Sequence, residues 1–430
     1  LWGSDAMAGV INIITRPGSG DTATVFTAGV EAGSFGTART NLGVTRIGTR
    51  AQTKATLNYL ESDGSNISRT GSEKDGTDNL TVGLSGSYEL ADYVLVSYTA
   101  RYTNKTTEFD NIDFFTTGLP VDADYKTDSE YLYTGFEVQH TVTANIDQSL
   151  RFSRTNSDNK TRAANPTKDI TRGTKDAIQY QINLIEDQHR ISLLAEHESD
   201  AYQQRGVASF FGDPNQNRKA DTNSLAAEYR FDSGPLHLSL SARQDNNSDF
   251  DDGSAWRATG NWQFAQTTLF ASVGESYKNP TFTERFGFFT NFIGNSDLAP
   301  EQSMQWEAGI SQRLLDNRLN IALSYFDADL TNEINGFVYD FATGGFTSAN
   351  VAGESTRQGV ELALAFAPTE RLRFNATYTY LDADQQDSFG KAVTEVRRPK
   401  HSGSISANYA WSDAGLHFAV SHTGTQEDDF

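Results

Sequence analysis

The chain has 430 residues, with 35 Lys+Arg against 56 Asp+Glu and a formal net charge of −21. No basic stripe can gather the counterions that nucleic-acid binding releases, so nucleic acid is excluded as a partner. Cys is 0, which excludes disulfide frameworks, thiolate metal sites and thiol nucleophiles. Only 37% of residues are hydrophobic, yet 11% are aromatic, more than a disordered chain carries. No window approaches the roughly 20 apolar residues of a membrane helix. A membrane β-barrel is compatible with this polarity, because its lumen face lowers the mean hydropathy.

A dense segment comes first, Leu1–Arg16, and the sequence stops at Phe430 inside an acidic stretch, so it reads as an internal fragment. From about residue 22 to residue 423 the dominant pattern has a period of two, the mark of strands with two different faces. Ala51, Thr53, Ala55, Leu57 and Tyr59 alternate with Gln52, Lys54, Thr56 and Asn58. Leu80, Val82, Leu84, Tyr88 and Leu90 share one face against Thr81, Ser85, Ser87 and Glu89. Val360, Leu362, Leu364 and Phe366 alternate with Glu361, Ala363 and Ala365, and Leu372, Phe374, Ala376 and Tyr378 with Arg373, Asn375 and Thr377. Nineteen such segments are expected, none with a helical stripe.

The connections carry more information than the strands. Nine are tight, near 47–48, 91–92, 145–147, 186–187, 233–234, 265–266, 316–317, 368–369 and 412–413. They interleave with nine others, mostly long and polar: 61–79, 104–130, 155–175, 199–222, 244–254, 276–301, 331–353 and 382–397, with only the first, near Gly33–Gly36, short. Strict short–long alternation puts every long loop at one end of the array, as in outer-membrane barrels. A propeller or sandwich shows no such asymmetry. The expectation is an all-β fold, an antiparallel transmembrane β-barrel. Lipid tolerates only a closed sheet, so further strands are expected beyond the nineteen.

Leu1–Arg16 resembles the end of the plug domain of TonB-dependent outer-membrane receptors. Family members carry Tyr-Gly-Ser-Asp-Ala-x-x-Gly-Val-x-Asn-Ile-Ile-Thr there, and Trp2 is the conspicuous departure. The resemblance implies a plug end over 1–18 and a barrel over 19–430, with about 22 strands in the whole protein. A second block is similar to the vitamin B12 (cobalamin) receptors: Ser276-Tyr-Lys-Asn-Pro280, Phe286-Gly287, Asp297-Leu298, Pro300-Glu301 and Gln305-Trp306-Glu307. Parts of it, and Asn350, Gly353, Gly359 and Glu361, are shared with siderophore receptors. The resemblance implies an energy-coupled receptor of the bacterial outer membrane, monomeric in lipid, with TonB as partner and cobalamin or a ferric siderophore as cargo. A passive porin is the rival, although a porin has no reason to carry the plug motif. An adhesin or phage-docking surface would use the same loops.

The long loops are acidic. Between 104 and 130 stand Glu108, Asp110, Asp113, Asp122, Asp124, Asp128 and Glu130, and the preceding loop holds Glu61, Asp63, Glu73, Asp75 and Asp78. Calcium takes six to eight oxygen ligands from such flexible loops. The resemblance implies a calcium site from Asp63, Asp75 and Asp78 of one loop with Asp113 and Asp122 or Asp124 of the next; solvated surface acidity is the alternative. It also implies a ligand contact at Arg397 of Arg397-Arg398, since a guanidinium can donate to corrin amides or phosphate. Tyr277 and Phe288, with Phe109, Phe114, Phe115, Phe210, Phe211, Phe286, Phe289 and Phe292, could line an apolar ligand pocket, sit in the interfacial girdle or pack the loops. Lumen arginines such as Arg101, Arg151 and Arg373 could offset anionic cargo. Asp245, Asn247 and Asp249 mimic the start of an EF-hand, but Phe250 stands where glycine is required, so a turn is expected. Catalysis finds no support: no G-x-S-x-G, no H-E-x-x-H and no phosphate loop is present.

Overall fold

The computed structural model describes residue 7 and residues 22–427, apart from 69–70, 114–115, 163–167, 209–212, 288–291, 343 and 388–389. The expected plug segment 1–18 lies, but for Met7, outside the described residues. From Ala23–Ala32 to Gly415–Thr423 the chain builds one antiparallel sheet of 20 strands. One of these is the three-residue Ala392–Thr394, set in a loop. The other nineteen run up and down, each paired with the next full-length strand, as the alternation predicts. Among the described residues Ala23–Ala32 pairs only with Ala38–Ile47, and Gly415–Thr423 only with His401–Ala410. Those are the two edges that a closed barrel must bring into pairing.

The register shows why alternation fixes the faces. Val82 lies opposite Tyr102, Tyr102 opposite Leu132, Phe136 opposite Phe152, and Phe152 opposite Ile178. Cross-strand partners share a face, so these residues form one apolar outer band, and its large side chains are exposed. Lys54, Arg101, Arg151 and Arg373 fall on the opposite, lumen face, as predicted for the three arginines. Aromatic side chains border the band at the short-turn end, where Tyr409 meets Trp411 with ring centroids 4.6 Å apart. They border it again at the long-loop end, where Trp306 lies 5.2 Å from Tyr325 and Tyr380 5.4 Å from His401. Two such girdles mark the interfaces of a membrane-spanning barrel.

All nine tight turns fall where the sequence places them, several closed by residues of positive φ, including Asp187 (51°) and Gly234 (55°). The long connections differ. Strands Val94–Ile112, Pro120–Thr143, Ile146–Arg162, Lys168–Glu186, His189–Arg205 and Gln216–Ser233 run far into the stretches expected as loops 104–130, 155–175 and 199–222. Beyond the lipid band both faces meet polar surroundings. Backbone pairing continues there, while the apolar alternation that reveals a strand stops. The remaining loops carry elements of their own: a helical turn, Phe282–Phe286, with a Thr281/Glu284 capping box, and a hairpin of Ile334–Asp340 with Gly345–Asn350.

Candidate functional site at the loop-built mouth

Two features bring the acids of separate loops together. A register irregularity between Phe109 and Asn111 sets Asp110, and Gly71 takes φ +105°, where a Cβ would stand 1.8 Å from Asp122 Oδ2. The result is a group of carboxylates from Glu73, Asp110 and Asp122 whose oxygens lie within 4.8 Å of one another. Asp110 is 9% exposed; its Oδ1 accepts from Ala123 N at 3.1 Å, while its buried Oδ2 has no hydrogen-bond partner. Asp122 Oδ2 accepts from Ser72 N at 3.3 Å. Beside them Asp75 Oδ2 accepts from Ile67 N at 3.4 Å, and its buried Oδ1 has no partner.

The electrostatics follow from this crowding. Desolvation first, then the fields of Asp122, Asp124, Asp75 and Asp110, raise the Glu73 pKa above the usual carboxylate value. Asp75 is raised in the same way, by desolvation and then Asp110, with the Ile67 N–H opposing. An all-oxygen set of carboxylates with buried, unsatisfied atoms fits a hard divalent cation such as calcium.

Of the expected calcium ligands the structure brings only Asp122 into this group, with Asp75 beside it, and adds Glu73 and Asp110, acids of the same loops that were not among them. Asp63 stands 3.6 Å from Lys74 Nζ instead. Asp78 accepts from Tyr59 Oη at 3.4 Å on the outer face. Asp113 closes its own turn, accepting from Thr116 N at 3.1 Å and Thr117 Oγ1 at 3.2 Å. Asp124 contributes its field to Glu73 but does not join the three-carboxylate group.

Two ion networks stiffen the rest of the mouth. Buried Arg243 donates through Nε to Asp245 Oδ1 and through Nη2 to Glu196 and Ser224, each at 2.7 Å, and Tyr277 Oη donates to Asp245 Oδ2 at 2.6 Å. Tyr277 is 3% exposed, and Asp245 belongs to this network, not to an EF-hand. Arg357 clamps Glu395 at 2.7 and 2.9 Å and reaches Glu333 at 3.2 Å, while Arg398 Nε donates to Glu395 at 3.0 Å. Burial pushes the Glu395 pKa upward, but hydrogen bonds from Arg357 and then Arg398 outweigh it and hold the carboxyl below its ordinary value. Arg397 is exposed at φ 59°, its N–H donating to Glu427 O at 2.8 Å.

Aromatic residues of the loops pack on each other. Phe292 stacks on Phe337 (6.1 Å between centroids), Phe337 on Phe346 (4.2 Å), and Phe109 lies 5.6 Å from Tyr125. Arg218 sits 4.1 Å above the Phe286 ring, and Arg285 lies 5.0 Å from Phe250. Phe114, Phe115, Phe210, Phe211, Phe288 and Phe289 lie outside the described residues.

A sheet with an apolar outer band, a polar lumen face and all long loops at one mouth defines a membrane-spanning β-barrel of the receptor type. The chain belongs to the TonB dependent receptor-like, beta-barrel family, whose model matches residues 18–429, which places it in the bacterial outer membrane. It is 29% identical over 205 residues to the metal-pseudopaline receptor CntO of Pseudomonas aeruginosa, covering 44% of this chain and 28% of that protein. It is 24% identical over an alignment of 464 residues to the vitamin B12 transporter BtuB of Photobacterium profundum, covering all of this chain and 68% of that one. The siderophore receptor PirA from Acinetobacter baumannii superposes with a TM-score of 0.77 at 17% identity, over 99% of this chain and 71% of that one. The copper transporter OprC superposes with a TM-score of 0.78 at 13% identity, over 97% and 71%.

Proposed function

We propose that this barrel belongs to an energy-coupled uptake receptor whose cargo is cobalamin, captured at a mouth that calcium organises. The observation that carries the reading is that Asp110, whose buried Oδ2 has no hydrogen-bond partner, groups with the carboxylates of Glu73 and Asp122 within 4.8 Å. Glu73, Asp110 and Asp122 would hold the ion, with Asp75 beside them. A bound divalent cation supplies the positive charge that these crowded carboxylates lack. Neutralised in this way, the acids tie loop 63–76 to the strand ends Asp110 and Asp122, giving the cargo a fixed rim to settle on.

The charge balance bears on the cargo. A strongly anionic chelate is repelled by a net charge of −21 concentrated in acidic loops, whereas a corrinoid with no large net charge is not. The block 276–307 and the alignment with BtuB over the whole chain support the same choice. A ferric siderophore is the second reading. It is favoured by Arg218 and Arg285, cations stacked on Phe286 and Phe250 for which no carboxylate lies within ion-pair distance among the described residues, and by the similarity to a metallophore receptor. In either case TonB acting on the plug would drive release through the lumen. The test is uptake of labelled cyanocobalamin by cells making the full-length protein, with and without TonB. Accumulation that needs both supports the proposal, and accumulation of ferric siderophore alone refutes the choice of cargo.

A further inference from the structure

The connection between strands Thr267–Lys278 and Glu301–Leu314 does not stay above its own strands. Between Thr267–Lys278 and His189–Arg205 the sheet interposes three others, roughly 19 Å of wall at about 4.8 Å per strand. The helical turn Phe282–Phe286 reaches across all of it. Phe282 stacks on Tyr202 of His189–Arg205, with centroids 5.7 Å apart and planes 10° from parallel, and meets Phe250 at 5.8 Å. Gln216 Nε2 donates to Phe286 O at 2.6 Å, and Arg285 donates to the carbonyls of Asp249 and Ser296. Outward Ile178 pairs with His197, so alternation turns Tyr202 and Gln204 inward, and Gln216 lies opposite Gln204. The crossing therefore runs over the inward side of the mouth.

The returning limb is tied down as firmly. Ile293 N donates to Phe346 O at 2.8 Å, and Asn295 N reaches back to Glu284 O at 2.9 Å. Asn295 Nδ2 donates to Ser348 O at 3.0 Å. Asn350 exchanges bonds with Ala299, accepting from its N at 2.8 Å and donating to its O at 2.9 Å. Gly294 packs so closely on the helical turn that a Cβ there would overlap the backbone of Arg285 and Phe286. Phe292, Leu298 and Ser348 are buried. Swinging this assembly outward would break the stack and these bonds together and wet Phe292 and Leu298. The acidic group is unlike it: Glu73, Asp110 and Asp122 crowd together, with Asp110 Oδ2 unpartnered.

We infer that residues 279–287 and 292–300 form a fixed ledge across the inward side of the mouth, in place before cargo arrives, and that cargo is selected by fitting against it. The ledge does not act as a lid. It presents the Phe286 ring with the Arg218 guanidinium 4.1 Å above it, a flat and rigid surface suited to a large ring system. A surface that need not be ordered on binding spares the complex that entropic cost. Specificity is thereby set by a part of the fold that stands still, while loop 63–76 is the part that an ion must organise. The purpose of the ledge rests on the uptake reading, but its rigidity does not, so the two fail separately.

The first arm of the test needs no cargo. Hydrogen exchange on the full-length protein, read by mass spectrometry without calcium, should be at least about a hundredfold slower in peptides spanning 292–300 than in those spanning 63–76. Equal rates, or protection of 292–300 that appears only when cyanocobalamin is added, overturn the proposal. The second arm uses the absence of Cys from the chain: in Tyr202→Cys/Phe282→Cys a short bismaleimide can bridge the two thiols in place of the stack. Heat-shifted gel mobility reports that the barrel is folded. Unbridged, the variant should bind labelled cyanocobalamin about two- to tenfold less tightly than the parent, the worth of one stacked pair, and bridging should restore parental binding and uptake. A lid gives the opposite pattern, with uptake in the unbridged form and a block on bridging, and that result overturns the ledge. A parent that binds no cyanocobalamin removes the cargo reading and leaves the exchange rates to decide.

Discussion

Asp110→Asn is the most informative single change at the mouth. It keeps an oxygen ligand and the shape of the side chain while removing one charge from the group. At 4.8 Å, the outer limit of the group, two unit charges repel by about 0.9 kcal/mol in water-like surroundings and by about 3.5 kcal/mol at an effective dielectric near 20. Asp110 is buried and Asp122 exposed, so the true value falls between those limits. A doubly charged ion at ligand distance attracts each carboxylate more strongly than this, and relief of the repulsion offsets part of that gain when one charge is removed, so the range is taken as the scale of the net loss. Asp110→Asn should therefore weaken calcium binding by about fivefold to a few hundredfold, read by titration calorimetry on the full-length protein. Without calcium the sign reverses, and the variant should hold loop 63–76 more firmly than the parent, because repulsion is relieved. Asp63→Asn, which touches only the Lys74 pair, should leave calcium affinity unchanged. Parental affinity in Asp110→Asn, or a large loss in Asp63→Asn, would show that the ion is not held by this group of carboxylates.

The same geometry sets three other outcomes. Gly71→Ala places a Cβ 1.8 Å from Asp122 Oδ2 at a φ of +105°, costing about 1–2 kcal/mol of local backbone energy. Calcium affinity should fall in step with hydrogen-exchange protection at Ser72. The raised pKa values of Glu73 and Asp75 mean that the ion-free loop is stabilised below the ordinary carboxylate range and loses that stability as pH rises through the raised values. Calcium binding should accordingly strengthen with rising pH, measured by titration at several pH values from about 4 to 7. Glu395 behaves oppositely: its lowered pKa makes the clamp fully stable above the ordinary carboxylate value and loosens it as pH falls through the depressed one. Arg357→Gln removes two of the hydrogen bonds to buried Glu395, so loop 387–400 should lose about 2 kcal/mol or more and be cleaved faster by protease than in the parent.

The lipid-facing part of the fold is legible in the sequence because lipid and lumen impose opposite demands on alternate residues. Leu80 to Leu90 and Leu372 to Tyr378 show this directly, and all nine tight turns and the nineteen full-length strands follow from it. Legibility ends where the two faces become alike. Residues 104–112 and 155–162 are strands without apolar alternation, so their polarity reads as loop. The hairpin Ile334–Asp340/Gly345–Asn350 is held by contacts with a distant loop, such as Asn350 Nδ2 to Ala299 O at 2.9 Å, which no local pattern reveals. At the candidate site the sequence shows which loops are acidic but not which acids meet. Asp110 comes into the group through a register irregularity, whereas Asp63 and Asp113 are taken by local partners. Arg243 pairs with Asp245, two residues along the same strand face, and also with Glu196 of a distant strand, a partner that sequence spacing alone does not disclose.

Cobalamin capture at the loop-built mouth and a calcium ion on the Glu73–Asp110–Asp122 group can be tested together. Cyanocobalamin is titrated into the full-length protein in detergent, with calcium and again with a chelator. Binding should be tight and should weaken when calcium is removed. Tight binding indifferent to the chelator would remove the role given to the acids, and no binding in either condition would remove cobalamin as the cargo.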